Sequence, residues 1–159
     1  MSLSNKSIPY TSPLPFVKER VGAAAIYCSD GRYGEAMDEF LHDCLELPHY
    51  DRVAIPGGAA ALAGHMLAMR ERSALDRQIK FLVESHGLTR VVLIAHQDCG
   101  FYKHNVHPTK FRQTPLEQLQ FTDLAAVAAT LRSFHRDLDV DAYFARRVDD
   151  LVRFDPVAT

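Results

Sequence analysis

Five apolar residues run without a break from Val91 to Ala95, and the run stops at His96. Its length and β-branched content predict a strand buried on both faces, the kind found inside a parallel sheet. A second apolar run, Gly22 to Tyr27, ends directly in Cys28-Ser29-Asp30-Gly31-Arg32 and predicts another strand over 22–28. Residues 1–20 carry Pro9, Pro13 and Pro15 without periodicity and read as an N-terminal arm. Beyond Gly34 the period changes: Met37, Phe40, Leu41, Cys44 and Leu45 follow the spacing of a helix with one buried face, which places Cys44 in the core.

Pro48 closes that helix, and 51–56 reads as a short strand. Gly57-Gly58 then opens an alanine-rich helix from Ala59 to about Met69. A further helix, with Leu75, Ile79, Leu82 and Val83 on its inner face, ends at His86-Gly87. After the strand at 90–96, residues 101–113 are polar and aromatic and read as a loop over the sheet edge. An exposed imidazole titrates near neutrality, which makes one of His104 and His107 in that loop a candidate for moving protons. Thr114-Pro115-Leu116-Glu117 has the form of a capping box with proline at the first helical position, and it starts a long amphipathic helix to about His135. Residues 142–145 and 151–154 read as two short strands forming an edge hairpin. The predicted order is β-α-β-α-α-β-α-β-β. It defines an α/β fold with a central, mostly parallel sheet flanked by helices and a C-terminal edge strand or hairpin, with 21–159 forming one domain.

Composition narrows the options. The chain has 159 residues, 47% hydrophobic and 24% charged, with a formal charge of −2. Nothing in that balance points to nucleic acid. The apolar runs are far too short for a membrane span, and the first residues lack the apolar core of a signal peptide. A cytoplasmic protein is the expectation. Three cysteines fit metal binding or reactive thiols better than a disulfide framework.

The candidate chemistry sits where the two strongest strands stop. If they lie parallel, Cys28, His96 and Cys99 share one edge of the sheet, the edge where ligands collect in open α/β folds. Two thiolates and an imidazole are a three-ligand zinc set with a fourth position for water or a carboxylate. Asp30 is close enough in sequence to reach the same ion, and Arg32 is close enough to pair with Asp30 instead. Zinc lowers the pKa of a bound water from about 16 to roughly 7, and an Asp30 held by Arg32 is then able to orient it. The turn at Gly57 and Gly58 offers backbone N–H groups to the same pocket as a substrate-binding element. A phosphatase-type cysteine loop is excluded because its arginine position holds Gly34, and no full phosphate loop is present.

The paired motifs Cys28-Ser29-Asp30-Gly31-Arg32 and His96-Gln97-Asp98-Cys99-Gly100 resemble those of the β-class carbonic anhydrases, over about residues 21–103. The resemblance implies zinc bound by Cys28, His96 and Cys99, and a catalytic pair Asp30 and Arg32 with Asp30 able to act as fourth ligand. It also implies reversible hydration of carbon dioxide to bicarbonate, and a homodimer or higher oligomer. Related proteins with this zinc set hydrolyse carbon disulfide or carbonyl sulfide, or serve as zinc-binding regulators without turnover. One segment departs from the family: where its members carry Arg-Asn-Ala-Gly-Asn, this chain reads Ile55-Pro56-Gly57-Gly58-Ala59.

Overall fold

Val, Ile and Leu fill the central strands, and their alternation assigns each residue to one of two cores. A computed structural model describes residues 9–65, 69–106 and 114–159. The strands are β1 (Ala23–Cys28), β2 (Asp51–Ile55), β3 (Arg90–His96), β4 (Asp139–Val148) and β5 (Leu151–Pro156). They form a sheet of order β2-β1-β3-β4-β5. The first four are parallel, and β5 closes the edge antiparallel to β4. Every residue of β1 is buried, as is every residue of β3 after Arg90. The sheet is therefore α/β with a mostly parallel centre and an edge hairpin, as the apolar pattern predicts.

Helices cover both faces. α1 (Gly31–Glu39) lies on one, where Tyr33, Met37 and Leu41 pack with Ala25, Tyr27, Val92 and Ile94. On the other face, α2 (Met69–Phe81) and α3 (Leu116–Phe134) bring Leu75, Ile79, Leu124, Val127 and Leu131 against Ile26, Val91 and Leu93. Residues 9–20 form no helix or strand and leave Tyr10, Leu14 and Phe16 exposed. Among the described residues no helix is long and apolar enough to cross a membrane.

Several elements differ from their expected form. Where the alanine-rich helix is expected to begin, the chain forms a 3₁₀ turn, Gly58–Ala61, and turns again at Gly64 with φ +82°; residues 66–68 of the expected span lie outside the described residues. Its alanines are buried against the sheet, and the left-handed glycine stops the helix from continuing. Cys44 is exposed rather than in the core. The helix after Glu39 widens into a π turn, Phe40–Cys44, and a wider turn rotates the residues that follow off the buried face. Pro115, not Thr114, occupies the cap position of α3, without a side-chain cap bond. Glu117 turns to Arg146 instead of completing a capping box. β4 runs on through Arg146 to Val148 because Arg146 finds partners in Glu117 and Asp155 at the sheet edge. Within the predicted loop 101–113, Tyr102–Val106 is a π turn with His104 exposed. His107 and the rest of that loop lie outside the described residues.

Candidate metal centre

β1 and β3 are neighbours, and the chain leaves them in opposite directions along the sheet, toward β2 and toward β4. Their carboxyl ends therefore flank the switch point of the fold, where a crevice opens outside the strands. The register pairs Tyr27 with Ile94, so Cys28 at the end of β1 comes level with the end of β3, where His96 stands. The chain then turns sharply. Asp98 takes φ +60°, a left-handed conformation that Asp tolerates, and Cys99 folds back toward Cys28.

Donor atoms of Cys28, His96 and Cys99 lie within 4.8 Å of one another. The two sulfurs are 3.9 Å apart. Two thiolates at about 2.3 Å from a tetrahedral zinc stand about 3.8 Å apart, so the spacing suits that ion. The imidazole is fixed from behind. Its Nδ1 donates to the Gln97 carbonyl at 2.8 Å, and the Tyr33 ring packs 4.4 Å from its centroid. That leaves Nε2 as the acceptor nitrogen. It is buried without a hydrogen-bond partner. A buried polar atom without a partner is costly, and a cation between it and the two sulfurs would satisfy it. His96 and Cys99 are each 1% exposed and Cys28 is 8% exposed, so the ion would be largely screened from solvent.

The sulfurs are prepared electrostatically. The adjacent Cys99 sulfur, together with His96 and the Gly57 N–H, holds the Cys28 thiol well below its ordinary range despite partial burial. Cys99 is pushed up by the same contact and by burial. The Gly57 N–H lies 3.3 Å from the Cys28 sulfur. Gly57 itself is left-handed at φ +79°, and Gly58 follows at φ +53°. A Cβ on Gly58 would sit 3.0 Å from the Cys28 backbone nitrogen. The two glycines thus let the turn press against the end of β1.

Asp30 stands at the start of α1, where its carboxylate accepts from the Arg32 backbone N–H at 3.1 Å and caps the helix. The same carboxylate receives the Arg32 guanidinium in a two-pronged contact, at 2.9 Å through Nε and 2.5 Å through Nη2. Those bonds hold Asp30 down to about 2. Asp30 lies outside the three-donor group and faces Arg32. Two neighbours escaped the sequence reading. Tyr33 donates its hydroxyl to the Gln97 carbonyl at 3.1 Å, and Gln120 donates to the His96 carbonyl at 2.9 Å. Gln120 was detectable as a polar residue interrupting the apolar stripe of α3; Tyr33 gave no separate signal.

A sheet-end centre of two cysteines and one histidine, beside an ionised aspartate clamped by arginine, defines a candidate metal-dependent α/β protein. The family model described as putative carbonic anhydrase matches residues 18–152, and the chain belongs to that family. Among solved structures, a carbonic anhydrase from Glaciozyma antarctica is similar over 99% of this chain and 100% of its own, with a TM-score of 0.59 and 17% identity. Two tetrameric β-carbonic anhydrases from Sordaria macrospora are represented by a structure similar over 88% of this chain and 84% of its own, with a TM-score of 0.51 and 14% identity. At such identities these likenesses concern the fold. An uncharacterized protein of Rickettsia conorii is 28% identical over 78 residues, 49% of this chain and 41% of that protein, so the match spans less than half of that relative.

The fit at Gly58 makes a direct prediction. Gly58→Ala adds a Cβ against backbone in a left-handed conformation and should cost about 1–3 kcal/mol of stability. Chemical denaturation measures it, and a variant as stable as the parent would refute the close approach.

Proposed function

We propose that the chain is a zinc-dependent carbonic anhydrase-like lyase that hydrates carbon dioxide reversibly to bicarbonate. The observation that carries this reading is the three-donor group with its orphaned His96 Nε2, set beside the Asp30–Arg32 pair. Membership of the family supports it. Cys28, His96 and Cys99 would hold the zinc. Zinc bound there supplies a Lewis acid that brings the pKa of water into the neutral range.

The remaining work falls to the protein's own side chains. Arg32 keeps Asp30 ionised and fixes its orientation through two parallel bonds. Asp30 accepts a hydrogen bond from the attacking water, so that the oxygen lone pair faces the carbon of the substrate. Tyr33 and the Gln97 carbonyl keep the imidazole from rotating. The Gly57 N–H shares the charge on the Cys28 sulfur, and with Gly58 it would line the substrate's approach to the centre. Asp30 as a closing fourth ligand would require it to leave Arg32. The two-pronged contact favours the arrangement in which that position stays open to water.

A homodimer or larger assembly belongs to the same proposal. Tyr10, Leu14 and Phe16 project from the N-terminal segment, each at least 79% exposed, and a second copy would cover them. Light scattering should give at least twice 17.9 kDa; a particle of 17.9 kDa removes this part of the proposal.

Two substitutions examine the chemistry. Cys99→Ser should abolish stoichiometric zinc, measured by metal analysis after gel filtration; zinc retained at one per chain would reject Cys99 as a ligand. Asp30→Asn keeps an oxygen to cap α1 but removes the charge. It should retain zinc and slow carbon dioxide hydration by about 10²–10⁴-fold in stopped flow. An unchanged rate would remove Asp30 from the reaction, and a zinc-loaded parent no faster than buffer would overturn the activity itself.

A further inference from the structure

The inner face of α3 carries two polar side chains where the apolar stripe calls for hydrophobic ones. Gln120 and Asp123 are three residues apart, hence on one face of the helix. They are 1% and 5% exposed and stand among Leu119, Leu124 and Val127. A buried carboxylate is unfavourable unless its oxygens are satisfied. Asp123 Oδ2 accepts the Tyr102 hydroxyl at 2.8 Å and meets His65 Nε2 at 2.7 Å. Tyr102 is fully buried in the turn that follows Cys99, and it packs in one cluster with Cys28, Cys99 and Leu119. Gln120 reaches the other ligand segment, donating to the His96 carbonyl. One face of one helix therefore grips the chain on both sides of the tight turn at Gln97 and Asp98.

We infer that Gln120, Asp123 and Tyr102, with His65 bracing Asp123, are positioning residues for the metal centre. They fix the separation of His96 and Cys99 before an ion arrives. Their polar groups touch neither the ion nor the substrate; they act through the two ligands. Such outer partners alter metal affinity by about 10- to 100-fold when removed. The inference rests on the zinc reading above.

The test uses the full chain, with zinc affinity from competition against a chromophoric chelator and site geometry from the visible bands of the cobalt(II)-substituted protein. Tyr102→Phe removes the hydroxyl and keeps the ring. It should weaken zinc about 10- to 100-fold and shift the cobalt bands. His65→Leu should act in the same direction, whereas His65→Gln, which still donates to Asp123, should restore parental values. A purely structural role would lower the melting temperature of the metal-free chain and leave affinity and cobalt bands unchanged; that result overturns the inference. Should Tyr102→Phe fail to fold, the His65 pair decides, and His65→Leu binding zinc as tightly as the parent overturns it. A parent that binds no zinc overturns the metal reading and this inference together. A parent that binds zinc while its variants match it overturns this inference alone.

Discussion

The parallel register of β1 against β3 is the constraint on which the centre depends. Both strands are enclosed by core on either face, so their pairing is specified by the full set of buried side chains. A slip of one residue would turn Val91 and Leu93 toward α1 and Val92 and Ile94 toward α3. It would also carry His96 away from the level of Cys28. The geometry of the three donors is thus a by-product of ordinary hydrophobic packing, and the fold's stability and the site's shape are one quantity.

A second layer of control comes from polar contacts at the strand ends. The Gln97 carbonyl accepts both the His96 ring nitrogen and the Tyr33 hydroxyl. Gln97 is itself tied to β4, through its backbone N–H to the Ala145 carbonyl at 2.8 Å and its side-chain oxygen to the Arg147 N–H at 3.0 Å. The imidazole is therefore oriented from α1 on one side and from β4 on the other. On the opposite flank, Asp30 serves two purposes, as cap of α1 and as partner of Arg32. The helix start and the candidate catalytic carboxylate are positioned by the same bonds.

The central strands and the Cys28, His96 and Cys99 group were legible because continuous β-branched runs and abrupt polar stops are local signals. The α-helix expected to start at Ala59 gives way to a 3₁₀ turn there for a reason that periodicity does not carry. Its alanines are small because the turn lies close against the sheet, and alanine content reads as helix propensity when no partner is in view. Cys44 was misplaced because a 3.6-residue period was extended across a turn that is wider. The capping box at Thr114 failed because Glu117 had a better partner in Arg146, nearly thirty residues away. Gln120 and Asp123 belong to the same class: their partners lie on other segments of the chain.

The widened turn after α1 divides the three sulfhydryls by reach. Cys28 and Cys99 are enclosed, while Cys44 looks out to solvent beside Asp43. Alkylating or fluorescent reagents would therefore meet this molecule first at a position outside the Cys28, His96 and Cys99 group. The polypeptide carries its own attachment point, from which a reporter can be hung without touching the cluster at the strand tips.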